Sequence, residues 1–240
     1  MIAFNEHVLE CPLCGQDPAR SIAGKSASPL LPDPLYFICE SCGCKWLSPR
    51  MDEKTSLKFY EGEYREILPK VSRYTFERDL SKQAVRANKL HRLINGWIPA
   101  SHLDYGCSLG VLLEKLRGIH SLSVGIELNR KEREYCFKKG LTVYKDLTEL
   151  RDEKFELITI IHVLEHVNHP GRLITDLAAR LTKNGEILIE VPDGSKVNDW
   201  TPWHVISFTQ GSLVRLVESC GLKVMLIKAE VKSLYLIATL

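Results

Sequence analysis

The spacing of apolar residues changes character several times along the chain. Between Asp33 and Leu47 the pattern Leu35, Phe37, Ile38 and Trp46 predicts short strands, punctuated by Pro32, Pro34 and Pro49. From Asp52 to Leu68 the period becomes helical, with Leu57, Tyr60, Tyr64 and Ile67 at three- and four-residue intervals, and Pro69 is expected to end that helix. A second helix is expected over Arg73 to Asn95, burying Phe76, Leu80, Val85, Leu90, Leu93 and Ile94. Gly96 stops it and Trp97-Ile98-Pro99 leads onward.

From residue 101 strand-like and helical segments alternate, the pattern of a doubly wound α/β sheet. The expected strands are Leu103 to Tyr105, Ser123 to Leu128, Thr142 to Tyr144, Glu156 to Ile161 and Glu186 to Val191. Helices are expected at 109 to 117, 130 to 139, 170 to 182 and 209 to 220, the last capped by Thr209 and ended by Gly221. Lys223 to Ala229 and Ser233 to Thr239 are joined too tightly for a crossover helix, so they must be antiparallel neighbours. The division expected is therefore 1–50, a small cysteine module; 51–98, a helical linker or cap; and 99–240, an α/β domain.

Composition narrows the class without changing this picture. Hydrophobic residues make up 45% and charged residues 26% of the 240 positions, an ordinary globular balance that buries a sizeable core. No apolar run is long enough to span a bilayer, and Met1 to Glu10 has no basic start or apolar run of a signal peptide, so no membrane partner and a cytoplasmic location are expected. A net charge of +2 argues against a protein that lives by neutralising many phosphates. One basic stripe, Lys82, Arg86, Lys89 and Arg92, recurs at helical spacing; it reads as a solvated face, with acceptor or RNA binding as the alternative.

Four of the eight cysteines come as two C-x-x-C pairs, Cys11/Cys14 and Cys39/Cys42, separated by 24 residues and each followed by glycine. Two such knuckles place four thiolates around a tetrahedral ion, so a structural zinc is expected, with Cys44 a possible substitute ligand.

The stretch 101–110, Ser-His-Leu-Asp-Tyr-Gly-Cys-Ser-Leu-Gly, is a strand, a glycine turn and a helix start. A dinucleotide site needs G-x-G-x-x-G against the pyrophosphate, and only Gly106 and Gly110 are present. Asp104 at the mouth of the turn disfavours a pyrophosphate and suits a cofactor bearing an ammonium group, as S-adenosylmethionine does. Glu127, 23 residues after Asp104, is placed to accept from ribose hydroxyls, and Asp146 from an adenine amino group.

As a set, Leu103-Asp-Tyr-Gly-Cys-Ser-Leu-Gly110, Val124-Gly-Ile-Glu127, Lys145-Asp-Leu147 and Phe155 to Val167 resemble the class I S-adenosylmethionine-dependent methyltransferases. The resemblance runs in order through 101–240. It implies a Rossmann-like seven-stranded sheet and an enzyme. It also implies that Gly106, Cys107 and Gly110 shape the methionine loop, Asp104 orients the amino group, Glu127 binds ribose, and Asp146 approaches adenine, with His162 also on the cofactor side. Ser108 departs from the family, which often has a second glycine there. A paired-cysteine ribbon before such a domain is familiar in bacterial small-molecule methyltransferases, sugar-modifying ones included, and occurs with other spacing in ribosomal RNA guanine methyltransferases.

His162, Glu165 and His166 follow the fourth strand at spacings that share one face of a helical turn. His-x-x-Glu-His is also an inverted zinc-protease motif, rejected here because it follows a buried parallel strand rather than lying on a long helix. In one reading His166 or His204 is a general base toward an acceptor hydroxyl. In another, His162, Glu165, His166 and His204 gather a divalent ion that polarises the acceptor oxygen, an arrangement similar to that of the small-RNA 3′-terminal methyltransferases. In a third, Glu165 and His166 only tether the loop. Trp200 and Trp203 are expected to wall the acceptor pocket, with Tyr60 and Tyr64 on the substrate side. The reaction expected is methyl transfer to a hydroxyl of a small molecule such as a sugar or nucleotide-sugar, with an RNA acceptor or a silent cofactor-binding domain as alternatives; oligomeric state is not legible.

Overall fold

The computed structural model describes residues 3–24, 33–71, 75–93, 99–117, 122–196 and 201–240. Pro32, Arg73, Ile94, Asn95, Gly96, Trp97, Ile98 and Trp200 lie outside them. In the N-terminal segment β1 (Arg20–Ala23), β2 (Leu35–Ile38) and β3 (Lys45–Leu47) form an antiparallel ribbon. Tyr36 lies opposite Leu47 on one face of the ribbon and Phe37 stacks on Trp46 on the other, with Tyr36, Trp46 and Leu47 all buried. β1 was not expected, since Arg-Ser-Ile-Ala carries a single large apolar residue and owes its strand to pairing with β2.

Asp52 caps α1 (Glu53–Lys58), its carboxylate accepting from the Thr55 N–H at 2.7 Å. A π-helical stretch, Phe59–Glu63, passes directly into α2 (Tyr64–Val71). Pro69 does not break this helix. It lies inside the helix, two residues before the last, and gives up the one backbone N–H that would have bonded there. α3 (Phe76–Leu93) is amphipathic in a different sense from the one expected. Phe76 and Val85 are exposed, whereas Ala87 and Leu90 are buried against Leu112, Leu116 and Leu188.

The main sheet contains β4 (Ser101–Tyr105), β5 (Leu122–Ile126), β6 (Thr142–Tyr144), β7 (Phe155–Ile161), β8 (Leu181–Pro192), β10 (Lys223–Glu230) and β11 (Ser233–Thr239), in the order β10-β11-β8-β7-β4-β5-β6. β4 to β8 run parallel, and β11 is antiparallel to both β8 and β10. The crossovers are α4 (Val111–Leu116), α5 (Arg130–Lys138), α6 (Pro170–Ala178) and α7 (Gln210–Ser219). Leu103, Ile158, Ile160, Ile187 and Ile189 on the central strands are fully buried, as helices on both faces require.

Helix α6 stops at Ala178, short of the expected residue 182, and β8 begins five residues earlier than the apolar run suggests. The polar Thr182 to Gly185 reads as a loop, yet it bulges within a paired strand: Leu181 faces Phe155 and Glu186 faces Leu157. Gly185 permits this, since a Cβ there would lie 2.7 Å from the Phe155 carbonyl.

Two features bear on the site. The chain leaves β4 toward β5 and β6, then returns to β7 on the other side, so a crevice opens where the strand order reverses. The two-residue β9 (Ile206–Ser207) pairs with β3, giving the ribbon a fourth strand, while Phe208 beside it bridges back to Asp193 just after β8. Among the described residues, no helix is long and apolar enough to cross a membrane.

Candidate functional site

A cavity of about 820 Å³ occupies the crevice at the carboxyl ends of β4, β5 and β7 and is covered by α1 to α3. Asp104, Gly106, Cys107, Glu127, Asp146, His162, Glu165, His166 and His204 all line it. Gly110 does not. It precedes α4 with φ 67°, and a Cβ there would meet Leu141 at 2.5 Å, so its task is to pack the loop from behind.

The turn after β4 depends on Gly106, whose φ is 77° and whose Cβ would lie 2.3 Å from Val163. Ser108 also adopts a left-handed backbone, φ 48°, without being glycine. Its N–H donates to Glu127 Oε2 at 2.8 Å. Its hydroxyl accepts from Arg65 at 2.9 Å and Gln83 at 3.1 Å and donates to Glu132 at 3.1 Å. A serine thus keeps the conformation a glycine would supply and ties the loop to α2, α3 and α5.

This end of the cavity is crowded with carboxyl groups. Asp104 is buried, accepts from Thr159 Oγ1 at 2.6 Å, and is pushed by burial up to about 7. Burial raises Glu127 as well, although it accepts the Asn129 N–H at 2.7 Å in addition to that of Ser108. Burial beside Glu127 pushes Glu132 up to about 7 against the pull of Arg65, with which it is ion-paired. Asp146 caps a 3-10 turn at Leu147–Glu149, and hydrogen bonds from Thr148 hold it below the usual carboxylate range. Glu127 spends one backbone N–H on each carboxylate oxygen, which leaves lone pairs for ligand hydroxyls. Acidic groups lifted by burial suit a ligand that brings a positive charge, so the donor set fits S-adenosylmethionine better than a pyrophosphate.

The other end holds the histidines. His162 lies at the end of β7 with φ 53°, and its ring bridges two carboxylates, Nδ1 to Glu165 Oε1 at 3.0 Å and Nε2 to Glu190 Oε1 at 3.1 Å. Burial opposes its charge, but those two hydrogen bonds hold it up at about 9. Both ring nitrogens of His162 are thus hydrogen-bonded, and among the described residues the ligand atoms that come together at this end are those of Glu165, His166 and His204. These place three ligand atoms within 4.8 Å of one another.

His166 Nδ1 lies 3.0 Å from the Trp203 carbonyl and 2.9 Å from the Tyr60 hydroxyl. A carbonyl only accepts, so Nδ1 carries the proton and Nε2 keeps a lone pair, 3.9 Å from Glu165 Oε1. Burial lowers both His166 and His204 to about 4, leaving them neutral at pH 7. Glu165 is itself buried, yet hydrogen bonding and charge from His162 bring it down to about 2, and its Oε2 has no hydrogen-bond partner. A buried ionised oxygen without a partner beside two neutral imidazoles is the donor arrangement that a cation completes.

Several residues of the site carried no local signal. Arg65, Asp79, Gln83, Asn129, Glu132 and Lys145 line the cavity from helices and loops where polar residues ordinarily face solvent. Tyr60 and Tyr64 line it as expected, but Trp203 packs its ring among Met51, Phe59 and Tyr64 and offers only its carbonyl. The basic stripe on α3 is not a free solvated face, because Arg86 pairs with Glu190 at 3.3 Å and Lys89 with Glu230 at 2.5 Å.

In the ribbon, Cys11 and Cys42 lie 3.6 Å apart and Cys14 and Cys39 3.5 Å apart, all four sulfurs falling within 4.8 Å. Zinc–sulfur bonds of about 2.3 Å give tetrahedral edges of about 3.8 Å, so the four residues fit such an ion. Cys44 stands outside the set, fully buried and directed at the Lys45 carbonyl. A hydrogen bond from it lowers Cys42 to about 4 and Cys11 to about 6, whereas burial raises Cys14 to about 12.

The fold recurs in known proteins. A ubiquinone biosynthesis O-methyltransferase of Haemophilus ducreyi is 26% identical over 119 residues, covering 44% of this chain and 50% of that protein. The chain thus spans about half the length of the curated relatives it matches. Among solved structures, the magnesium protoporphyrin IX methyltransferase of Synechocystis, with S-adenosylhomocysteine bound, superposes with a TM-score of 0.58 at 15% identity over 78% of this chain and 99% of that one. The N-methyltransferase NodS of Bradyrhizobium japonicum, also with S-adenosylhomocysteine, gives 0.53 at 16% identity over 64% and 84%. The family profile described as a methyltransferase domain matches residues 59–227. The chain belongs to the methyltransferase-domain family, with the fold of the class I S-adenosylmethionine-dependent methyltransferases.

Proposed function

We propose that this enzyme transfers a methyl group from S-adenosylmethionine to a hydroxyl of a small molecule of the sugar or nucleotide-sugar type. Asp104, Gly106, Cys107, Glu127 and Asp146 would hold the cofactor, and S-adenosylmethionine, when bound, supplies an electrophilic methyl on a sulfonium sulfur. The observation that carries the reading is the position of Glu165, His166 and His204, on the wall of the cavity whose other end presents the buried carboxyl groups.

The acceptor hydroxyl must become more nucleophilic as the methyl approaches. Neutral imidazoles and a carboxylate with an unsatisfied oxygen favour a divalent ion that acidifies this hydroxyl, over proton removal by a histidine alone. Tyr60 and the Trp203 carbonyl orient His166, while His162 orients Glu165. The relative named above as a ubiquinone biosynthesis O-methyltransferase supports oxygen as the acceptor atom. The ion pairs made by Arg86 and Lys89 weigh against RNA, because they consume half of the basic stripe. Cys11, Cys14, Cys39 and Cys42 would hold a structural zinc, whose thiolates suit the reducing cytoplasm.

The test is incubation with methyl-labelled cofactor and separate metabolite and RNA pools, with and without a chelator and added Mg²⁺ or Mn²⁺. Label entering the metabolite pool only when the divalent ion is present is expected. Label in RNA would refute the acceptor class, and undiminished transfer after chelation would refute the ion.

A further inference from the structure

We propose that the cysteine ribbon positions His204, so that the metal in the ribbon governs the acceptor end of the cavity and leaves the cofactor end alone. This rests on the reading of His204 given above.

His204 belongs to a segment that the α/β domain and the ribbon hold between them: the Gly194 N–H donates to the Phe208 carbonyl at 2.7 Å from the one, and the strand pairing comes from the other. The segment's strand, β9, has β3 as its neighbour, with Lys45 opposite Ser207 and Trp46 opposite Ile206. The Leu47 N–H donates to the Val205 carbonyl at 3.0 Å, extending this pairing to the residue next to His204. Tyr36 on β2 is 1% exposed, and its hydroxyl lies 2.7 Å from both the His204 and the Thr201 carbonyl oxygens. One phenol thus grips the backbone of His204 itself.

The same contacts lead back to the sulfurs. Cys42 and Cys44 bracket Gly43, and β3 starts at the next residue, Lys45. Gly43 has φ 74°, and a Cβ there would lie 3.0 Å from Thr209 Oγ1, which donates to the Cys42 carbonyl at 3.4 Å. Lys45 Nζ donates to the Gly194 carbonyl at 2.7 Å on the other arm of the loop. The knuckle carrying two of the four thiolates therefore abuts both arms of the segment that presents His204. By contrast, among the described residues none before Glu53 lines the cavity, so the ribbon acts only through the backbone it holds. Tyr36 is accordingly a positioning residue.

Two variants of the full chain test this, read by hydrogen exchange, zinc content and calorimetry with S-adenosylhomocysteine as the probe of the cofactor end. Cys14→Ser removes one ribbon ligand and touches none of Glu165, His166 and His204. Tyr36→Phe keeps the packed ring and removes only the hydroxyl. Exchange across 201–208 is expected to accelerate by about tenfold or more in zinc-depleted Cys14→Ser, and by about fivefold in zinc-replete Tyr36→Phe. Exchange across 104–110 and the affinity for S-adenosylhomocysteine stay within about twofold of the parent. Unchanged exchange at 201–208 in Tyr36→Phe overturns the proposal, and so does equal loosening of 104–110 with loss of S-adenosylhomocysteine affinity. His204→Gln separates the two claims. An active His204→Gln enzyme whose 201–208 segment still depends on the ribbon sinks the reading of His204 and keeps the positioning. An inactive one whose segment ignores the ribbon does the reverse.

Discussion

Asp104 makes the pH dependence of cofactor binding a quantitative test of the site. Burial lifts it to about 7, well above the ordinary 3.8. The sign follows from linkage: with a raised folded value, this group's contribution to stability is fully present below the ordinary carboxylate range and is lost as pH rises through 7. A ligand ammonium group against Asp104 favours the ionised form, so binding below pH 7 must displace a proton. The dissociation constant of S-adenosylhomocysteine should then rise roughly tenfold per pH unit below 7 and level off above it, which is about 1.4 kcal/mol lost between pH 8 and pH 6. Calorimetry at those two values, in buffers of different ionisation enthalpy, reads both the affinity and the proton released. Asp104→Asn should abolish the slope and weaken binding at pH 8. Glu132 is also lifted to about 7, so Glu132→Gln serves as the control and should retain the slope. A tenfold change that survives in Asp104→Asn, or affinity that improves as pH falls, would refute the reasoning.

Other outcomes follow from the same geometry. Glu165→Gln, which removes the ionised oxygen while keeping the shape, is expected to lower methyl transfer by about a hundredfold with S-adenosylhomocysteine affinity unchanged in calorimetry. Gly106→Ala places a Cβ against Val163 at a backbone angle disfavoured for alanine; it should destabilise the fold by at least about 1–2 kcal/mol in denaturant titration and abolish cofactor binding. Arg65→Ala leaves Glu132, whose side chain is 8% exposed and which already sits at about 7, to take up a proton at neutral pH, so denaturant titration should show a loss of about 1 kcal/mol at pH 7 that grows toward pH 9, and Glu132→Gln should remove that growth. Elemental analysis of the purified protein should find one zinc per chain bound at the cysteines, lost in Cys39→Ser.

Much of this enzyme was legible in the order of its residues because the relevant physics is local. The apolar runs of β4, β5 and β7, the Pro170 start of α6 and the Thr209 cap of α7 are short-range signals. The two C-x-x-C pairs and the turn at Asp104 and Gly106 likewise depend on spacing within a few residues. What the sequence left open depends on which distant segments share a surface. Polar Thr182 to Gly185 became part of a strand because β7 lies alongside. The inward face of α3 was decided by α4 and β8, which buried Ala87 and Leu90 and drew Arg86 to Glu190. Spacing put His162 with Glu165 and His166, but only the tertiary fold supplied Glu190 as its second hydrogen-bond partner. The pairing of β3 with β9 joins residues roughly 160 positions apart, from Lys45 to Ser207, and no periodicity within either segment encodes it. Hydrophobic patterning specifies which face of an element is buried; only the assembled fold specifies the neighbour that buries it.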